Sequence, residues 1–131
     1  MAFKKLSLVS AGLMFSLFLA LLFTPMIIFT LFGVEQTTSA TFFTHRVAIL
    51  FLGLSLFVYS LKEVDHLKVR KPVCLSIAVM MLSLAVLGIL EFVLGGSGAG
   101  IFLAIAGELI LGVLYAYKYL DYDQQSRFWG G

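Results

Sequence analysis

No charged residue occurs between Leu6 and Val34, and this limits what the chain can fold into more than any other feature of the sequence. A helix rising 1.5 Å per residue over that stretch is more than long enough to cross a hydrocarbon core of about 30 Å. The run is also longer than the apolar part of a signal peptide, and no small-residue cleavage site follows it. We therefore expect a retained spanning helix over residues 6–29.

Three further apolar runs follow the first. They predict spanning helices over residues 41–61, 72–94 and 99–119. Residues 120–131 then form a polar C-terminal tail. Three aromatic side chains of this tail suit the headgroup level of a membrane, namely Tyr122, Phe128 and Trp129.

Local signals mark where these helices start and stop. Pro25 lies near the far end of the first run, where the loss of one backbone hydrogen bond kinks or ends a helix. Gly33 is a helix stop, and Pro72 suits the first turn of the third span. The cap candidates for the second span are Thr37, Thr38 and Ser39.

The composition agrees with this segmentation. Of 131 residues, 61% are hydrophobic and 12% are charged, against roughly 45–50% and 25% in soluble domains. The mean hydropathy is +1.06. We therefore predict an all-α fold, a single integral membrane domain over residues 1–131 in which four helices form a bundle within the lipid bilayer. The net charge of +2 is too small to argue for a nucleic-acid partner.

The distribution of basic residues predicts the orientation. Of the Lys and Arg residues, only Arg46 falls on one side of the membrane. The side rich in Lys and Arg is the cytoplasmic one. Both termini are therefore predicted to be cytoplasmic. The cytoplasmic set is Lys4, Lys5, Lys62, Lys68, Arg70, Lys71, Lys118 and Arg127.

Four ionisable residues fall within or at the edges of the spans, all in the outer half of the bilayer or near its middle. A charged residue at a helix centre costs about 2.5–3.5 kcal/mol, so such groups usually face other helices and find a partner. On the fourth helix, small residues recur every four positions around the glutamate, a pattern that lets helices approach closely. The predicted cluster is His45, Arg46, Glu91 and Glu108, and the packing stripe is Gly100, Ala104, Gly112 and Ala116.

Two interpretations of this cluster stay open. In one, Arg46 pairs with Glu91 or Glu108 and locks helix packing, while the other carboxyl group is protonated or reaches water. In the other, the pair lies beside a cavity for a lipid headgroup, a quinone-like lipophile or a proton. His45 is a lone interfacial histidine, which is more often a solvated residue than a ligand.

The sequence offers little for catalysis or metal binding. Cys74 is the only cysteine, so an intrachain disulfide, a redox pair and a cysteine-rich metal site are all excluded. His66 has no second ligand at useful spacing, and we expect no metal site. The segment "GGSGAG" fits neither nucleotide-binding glycine motif. We therefore expect no cofactor and do not expect this chain to act as an enzyme by itself.

The first half of the chain contains a short series of local motifs. They are a proline near the end of the first helix, then "LFG", and then an arginine with a glycine seven residues after it. These residues are Pro25, Leu31 to Gly33, Arg46 and Gly53. Over residues 10–60 the chain resembles the DoxX-like superfamily of small four-helix membrane proteins. For some members the resemblance implies a place as a small subunit in a quinone-linked respiratory or sulfur-oxidising complex.

The leading hypothesis is a bacterial inner-membrane protein that serves as a non-catalytic accessory or assembly subunit, with a membrane-protein partner or as a homo-oligomer. One alternative is a small proton-coupled transporter that uses Glu108. Another is a lipophile-binding membrane protein or enzyme with an outer-half site made by Arg46, Glu91 and Glu108.

Overall fold

The computed structural model describes residues 2–128, and these form five helices in two compact units. Four of the helices are long and apolar enough to cross a membrane, as in a small multi-pass membrane protein. The prediction of an all-α fold with four spanning helices is therefore confirmed. That the four spans form one domain, and that both termini are cytoplasmic, stay predictions.

The first unit contains α1 (Phe3–Phe23), α2 (Pro25–Phe32) and α3 (Thr38–Ser60), with residues 97–99. The predicted first span is divided between α1 and α2. The break falls at Thr24, directly before Pro25, because the residue before a proline is pushed out of the helical region. Pro25 then takes the first position of α2, where its missing N–H costs no intrahelical bond.

α1 packs along α3 through an apolar face that also carries serines. The buried residues of α1 recur every three or four positions and include Ser7, Ser10 and Met14. A hydrogen bond joins the two helices directly, since Ser55 Oγ donates to the carbonyl oxygen of Ala11 over 2.8 Å in a buried position. Such bonds between spanning helices contribute on average about 0.6 kcal/mol.

The turn after α2 depends on Gly33. This residue has a φ of 67°, the left-handed conformation that glycine adopts without steric cost. The backbone of Gly98 lies directly against it, and the Gly98 N–H donates to the carbonyl oxygen of Phe32 over 2.6 Å. A Cβ at Gly33 would lie 2.8 Å from the Gly98 nitrogen, so a side chain there would meet backbone that cannot rotate away.

Among the cap candidates for α3, the residue that acts is Thr37. It is the N-cap, and its side-chain oxygen accepts a hydrogen bond of 3.0 Å from the Ala40 N–H. The bond satisfies one of the backbone donors that a helix start leaves without an intrahelical partner. Thr38 and Ser39 already lie inside the helix.

The second unit consists of the helix pair α4 (Leu67–Val93) and α5 (Ile101–Phe128). α4 begins before the predicted residue 72, so Pro72 lies inside the helix and not in its first turn. α5 continues beyond the predicted residue 119 through most of the polar tail. Trp129 lies outside the described residues.

Side-chain pairing explains both extensions. Lys71 in the early turns of α4 forms an ion pair with Asp123 in the late turns of α5, at 2.8 Å. Asp123 also pairs with Arg127 one turn on, and the Gln125 amide donates to Asp121 over 3.1 Å. The sequence predicts a solvated connection and a polar tail here, but the Lys71–Asp123 pair holds the two helix ends together.

α4 and α5 approach closely at two glycines. A Cβ on Gly112 of α5 would lie 2.8 Å from a Leu82 methyl carbon and 3.4 Å from the Leu82 backbone nitrogen. A Cβ on Gly88 of α4 would lie 2.9 Å from Ile105. Gly107 is also on α5, and a Cβ there would meet nothing within 4 Å. Gly112 therefore sets the spacing of the two helices, whereas Gly107 does not.

We expect Gly112→Val to lower the free energy of unfolding by about 1–3 kcal/mol, because the added methyl groups force Leu82 and its backbone apart from α5. The matched variant Gly107→Val carries the same helix-propensity change into open space and should leave the unfolding free energy nearly unchanged. Unfolding in mixed micelles with increasing denaturing detergent measures both. Equal losses in the two variants would contradict this view of the interface.

Candidate functional site

Arg46 lies in the first unit, within the apolar length of α3. At 3.6 residues per turn it falls on the opposite side of the helix from Ala48 and Ser55, which are buried. Its side chain is exposed, and its guanidinium carbon lies 5.4 Å from the centre of the Phe42 ring. Within the described part of the first unit, no carboxylate lies within ion-pair distance of Arg46.

The side of α3 that carries Arg46 is exposed along most of its length. Gly53 shares it, and a Cβ there would meet nothing within 4 Å. We call this surface the Arg46 face, and its residues are Phe42, Arg46, Ile49, Leu50, Gly53 and Phe57. His45 is half-buried beside it. Among the four candidate spanning helices, α3 has the smallest buried share, 17% of an apolar stretch of 18 residues.

The two predicted carboxylates lie in the second unit. Glu91 is exposed near the end of α4, and Glu108 is half-buried on α5. Glu108 lies between Ile105 and Gly112 on the side of α5 that contacts α4. That Arg46 pairs with one of the two carboxylates, as the predicted four-residue cluster requires, stays a prediction.

The small-residue stripe lies on this same side of α5, except for Gly100, which precedes the helix. Gly112 is buried against Leu82, while Gly100, Ala104 and Ala116 are half-buried. One contact of the stripe therefore belongs to the α4–α5 interface itself, where a glycine lets the helices approach closely.

A second polar group lies where α4 begins and α5 ends, and sequence reasoning did not find it. The Lys71 and Asp123 side chains are 27% and 22% exposed, so this ion pair is largely shielded from solvent. Asp123 is also 3.1 Å from Arg127 Nε. The Lys71 ammonium lies 5.9 Å from the Tyr119 ring centre. Contacts between charged and aromatic side chains thus join the start of α4 to the end of α5.

Arg70 ties the preceding connection to this end. Its Nε donates to the carbonyl oxygen of Val64 over 2.6 Å, and its terminal nitrogen is 3.4 Å from a carboxylate oxygen of Asp65. Its guanidinium carbon also lies 5.7 Å from the ring centre of Tyr122, which is buried. The available signal was the basic residues at the start of α4 and the tyrosines and acidic residues near the end of α5, but their separation along the chain concealed the pairing.

An open cavity of about 870 Å³ lies at the same end. Its lining combines charged, polar and apolar side chains from the start of α4, the residues before it, and the end of α5. The lining residues are Asp65, His66, Leu67, Lys68, Lys71, Pro72, Gln125 and Ser126.

The first unit has a simpler polar contact at the start of α1. Lys4 and Glu63 form an ion pair of 2.7 Å, with 55% and 65% of the two side chains exposed. The hydrogen bond from the Lys4 ammonium, and then its charge, lower the pKa of Glu63. Because both groups are well solvated, this pair contributes little to stability.

The described residues contain no group of three or more His, Cys, Asp or Glu side chains placed to hold a metal ion. The Arg46 face and the cavity are both suited to binding charged groups. The Arg46 face presents a cation within an apolar surface, and the cavity presents ammonium, imidazole and hydroxyl groups.

Comparison of the chain with protein-family models, with characterised proteins and with solved structures finds no match.

We expect the Lys71–Asp123 pair to contribute more to stability than Lys4–Glu63, because shielded charges are screened less by water. Two double-mutant cycles test this, one with Lys71→Gln and Asp123→Asn, the other with Lys4→Gln and Glu63→Gln. The coupling free energy should be clearly favourable in the first cycle and within error of zero in the second. A first-cycle coupling no larger than the second would contradict the ranking.

Proposed function

We propose that the chain is a non-catalytic accessory or assembly subunit of a larger membrane complex in the bacterial inner membrane, with both termini in the cytoplasm. The observation that carries this proposal is the Arg46 face of α3, an exposed apolar surface with a cation inside it. A partner membrane helix with a carboxylate or another acceptor would satisfy that cation.

The position of Arg46 along α3 makes its charge costly. It lies roughly 12 Å along α3 from Thr38, at 1.5 Å per residue, and thus inside the apolar length of the helix. A charge at the centre of a spanning helix costs about 2.5–3.5 kcal/mol, and hydrogen bonding to a partner offsets part of that cost. Its long side chain can reach toward the membrane surface, which lowers the cost but leaves the charge without a fixed partner.

Gly53 gives the same face a place for close contact. It lies seven residues after Arg46, on the same side of α3, with open space where a side chain would stand. Small residues of this kind let the backbones of two spanning helices approach, which is how helices gain packing energy in lipid. A partner helix seated over Gly53 would also come within reach of the Arg46 guanidinium.

The resemblance to the DoxX-like superfamily supplies the kind of complex, a quinone-linked redox assembly. In such an assembly the redox centre would belong to a partner subunit. This chain would contribute apolar helices, an intramembrane cation and a surface for contact. A second copy of the chain is the other partner of the required chemistry, and the same test identifies it.

We expect native mass spectrometry of the protein, extracted from its own membranes in mild detergent, to show a larger complex that is lost in Gly53→Leu and in Arg46→Gln. Gly12 gives a matched control, because it is exposed on α1 and a Cβ there would meet nothing within 4 Å. The Gly12→Leu variant should keep the complex.

A free monomer from the unaltered protein would contradict the proposal, and so would a complex that survives both α3 substitutions. A monomer carrying one defined lipophile would favour the alternative of a lipophile-binding protein or proton-coupled carrier. The half-buried Glu108, an ionisable residue within the apolar length of α5, supports that alternative.

A further inference from the structure

The cavity at the polar end of the second unit has a net cationic character once its own ion pairs are considered. Three of its lining side chains carry full charges, Asp65, Lys68 and Lys71. Lys71 pairs with Asp123 at 2.8 Å. Asp65 lies 3.4 Å from the Arg70 guanidinium. Within the described part of the second unit, Lys68 has no ion-pair partner, so its charge is the one left for a ligand.

Further hydrogen-bond donors line the same cavity. The His66 imidazole carries at least one N–H whatever its protonation state, and the Ser126 hydroxyl can donate as well. One N–H of the Gln125 amide donates to Asp121 over 3.1 Å. Lys68, His66 and Ser126 together offer an ammonium, an N–H and an O–H to an anion with several acceptor oxygens.

The surroundings narrow the class of anion. The cavity lies where α4 begins and α5 ends, and both are candidate membrane-spanning helices. Leu67 and Pro72 give it apolar walls beside the polar ones. At the end of a spanning helix the abundant anions are the phosphates of lipid headgroups, and basic pockets between helices bind them.

We propose that this cavity binds a phosphate group at the membrane surface, with Lys68 as the ion-pairing residue and His66 and Ser126 as hydrogen-bond donors. The phosphate belongs to an anionic phospholipid headgroup or to free inorganic phosphate, which share this chemistry. The site is independent of the Arg46 face and of any partner subunit.

The test uses the full chain in nanodiscs of phosphatidylcholine with or without phosphatidylglycerol, and counts retained lipid by native mass spectrometry. Lys68→Gln should lower phosphatidylglycerol retention at least about tenfold, since a hydrogen bond to a charged group is worth about 1.5–3 kcal/mol and each 1.4 kcal/mol is tenfold. Lys68→Arg, which keeps the charge, should retain the lipid.

Lys62→Gln is the matched control. It removes the same charge six residues earlier in the chain, before α4 begins, but Lys62 lies over the Tyr59 ring at 3.8 Å and does not line the cavity. A general attraction between a basic surface and anionic lipid is worth about 1 kcal/mol per Lys, or roughly fivefold, so Lys62→Gln should change retention by no more than that.

Titration of inorganic phosphate onto the protein, in nanodiscs with and without phosphatidylglycerol, distinguishes the two sources. Binding that depends on Lys68 and displaces phosphatidylglycerol would identify free phosphate as a ligand of the site. Phosphatidylglycerol retention that phosphate does not displace would identify the headgroup. Equal losses in Lys62→Gln and Lys68→Gln, or no selective binding of either probe, would overturn the proposal.

Discussion

A lipid bilayer gives the backbone no hydrogen-bond partner, and the rest of this structure depends on that constraint. Each spanning segment is helical because a helix satisfies its own N–H and C=O groups. Where the chain leaves the helix at Thr24, the Thr24 hydroxyl and N–H both donate to the carbonyl oxygen of Ala20. Where two helices meet, Ser55 finds a carbonyl on α1. These Thr and Ser hydroxyls thus donate to backbone carbonyl oxygens within the protein. Arg46 and Glu108 differ from them because they are ionisable groups within the apolar lengths of their helices.

The two ends of the helices follow a different rule, because water and headgroups are available there. At one end of the second unit, charged residues extend α4 and α5 beyond their apolar lengths and pair across the helices. That pairing consumes most of the charge and leaves Lys68 beside an open cavity. In the first unit, Gly33 and Gly98 bring two backbones into contact. The polar end of the second unit is thus suited to binding charge, and the Gly33–Gly98 contact of the first unit is suited to close packing.

Hydropathy alone was enough to find the four spans, because a long uncharged run has few alternatives to a spanning helix. Local rules also located the Gly33 stop and gave Thr37 as one of three cap candidates. They failed at Leu67 and Phe128, where helices continue through charged sequence because Lys71 and Asp123, 52 residues apart, stabilise each other. The cavity could not be predicted for the same reason, since one of its walls comes from the start of α4 and the other from the end of α5, which are far apart in the sequence. The partners of Arg46 and Glu108 depend on long-range placement, which single-sequence patterns do not contain.

Photo-crosslinking in native membranes tests most directly whether another polypeptide covers the Arg46 face. A photoreactive amino acid replaces Leu50, which lies on this face and is 67% exposed, or Val79 of α4, which is 56% exposed and serves as the control position. We expect crosslinks from position 50 to a second polypeptide, whether a partner subunit or another copy, and crosslinks mainly to lipid from position 79. Crosslinks from position 50 only to lipid or only within the same chain would contradict this expectation.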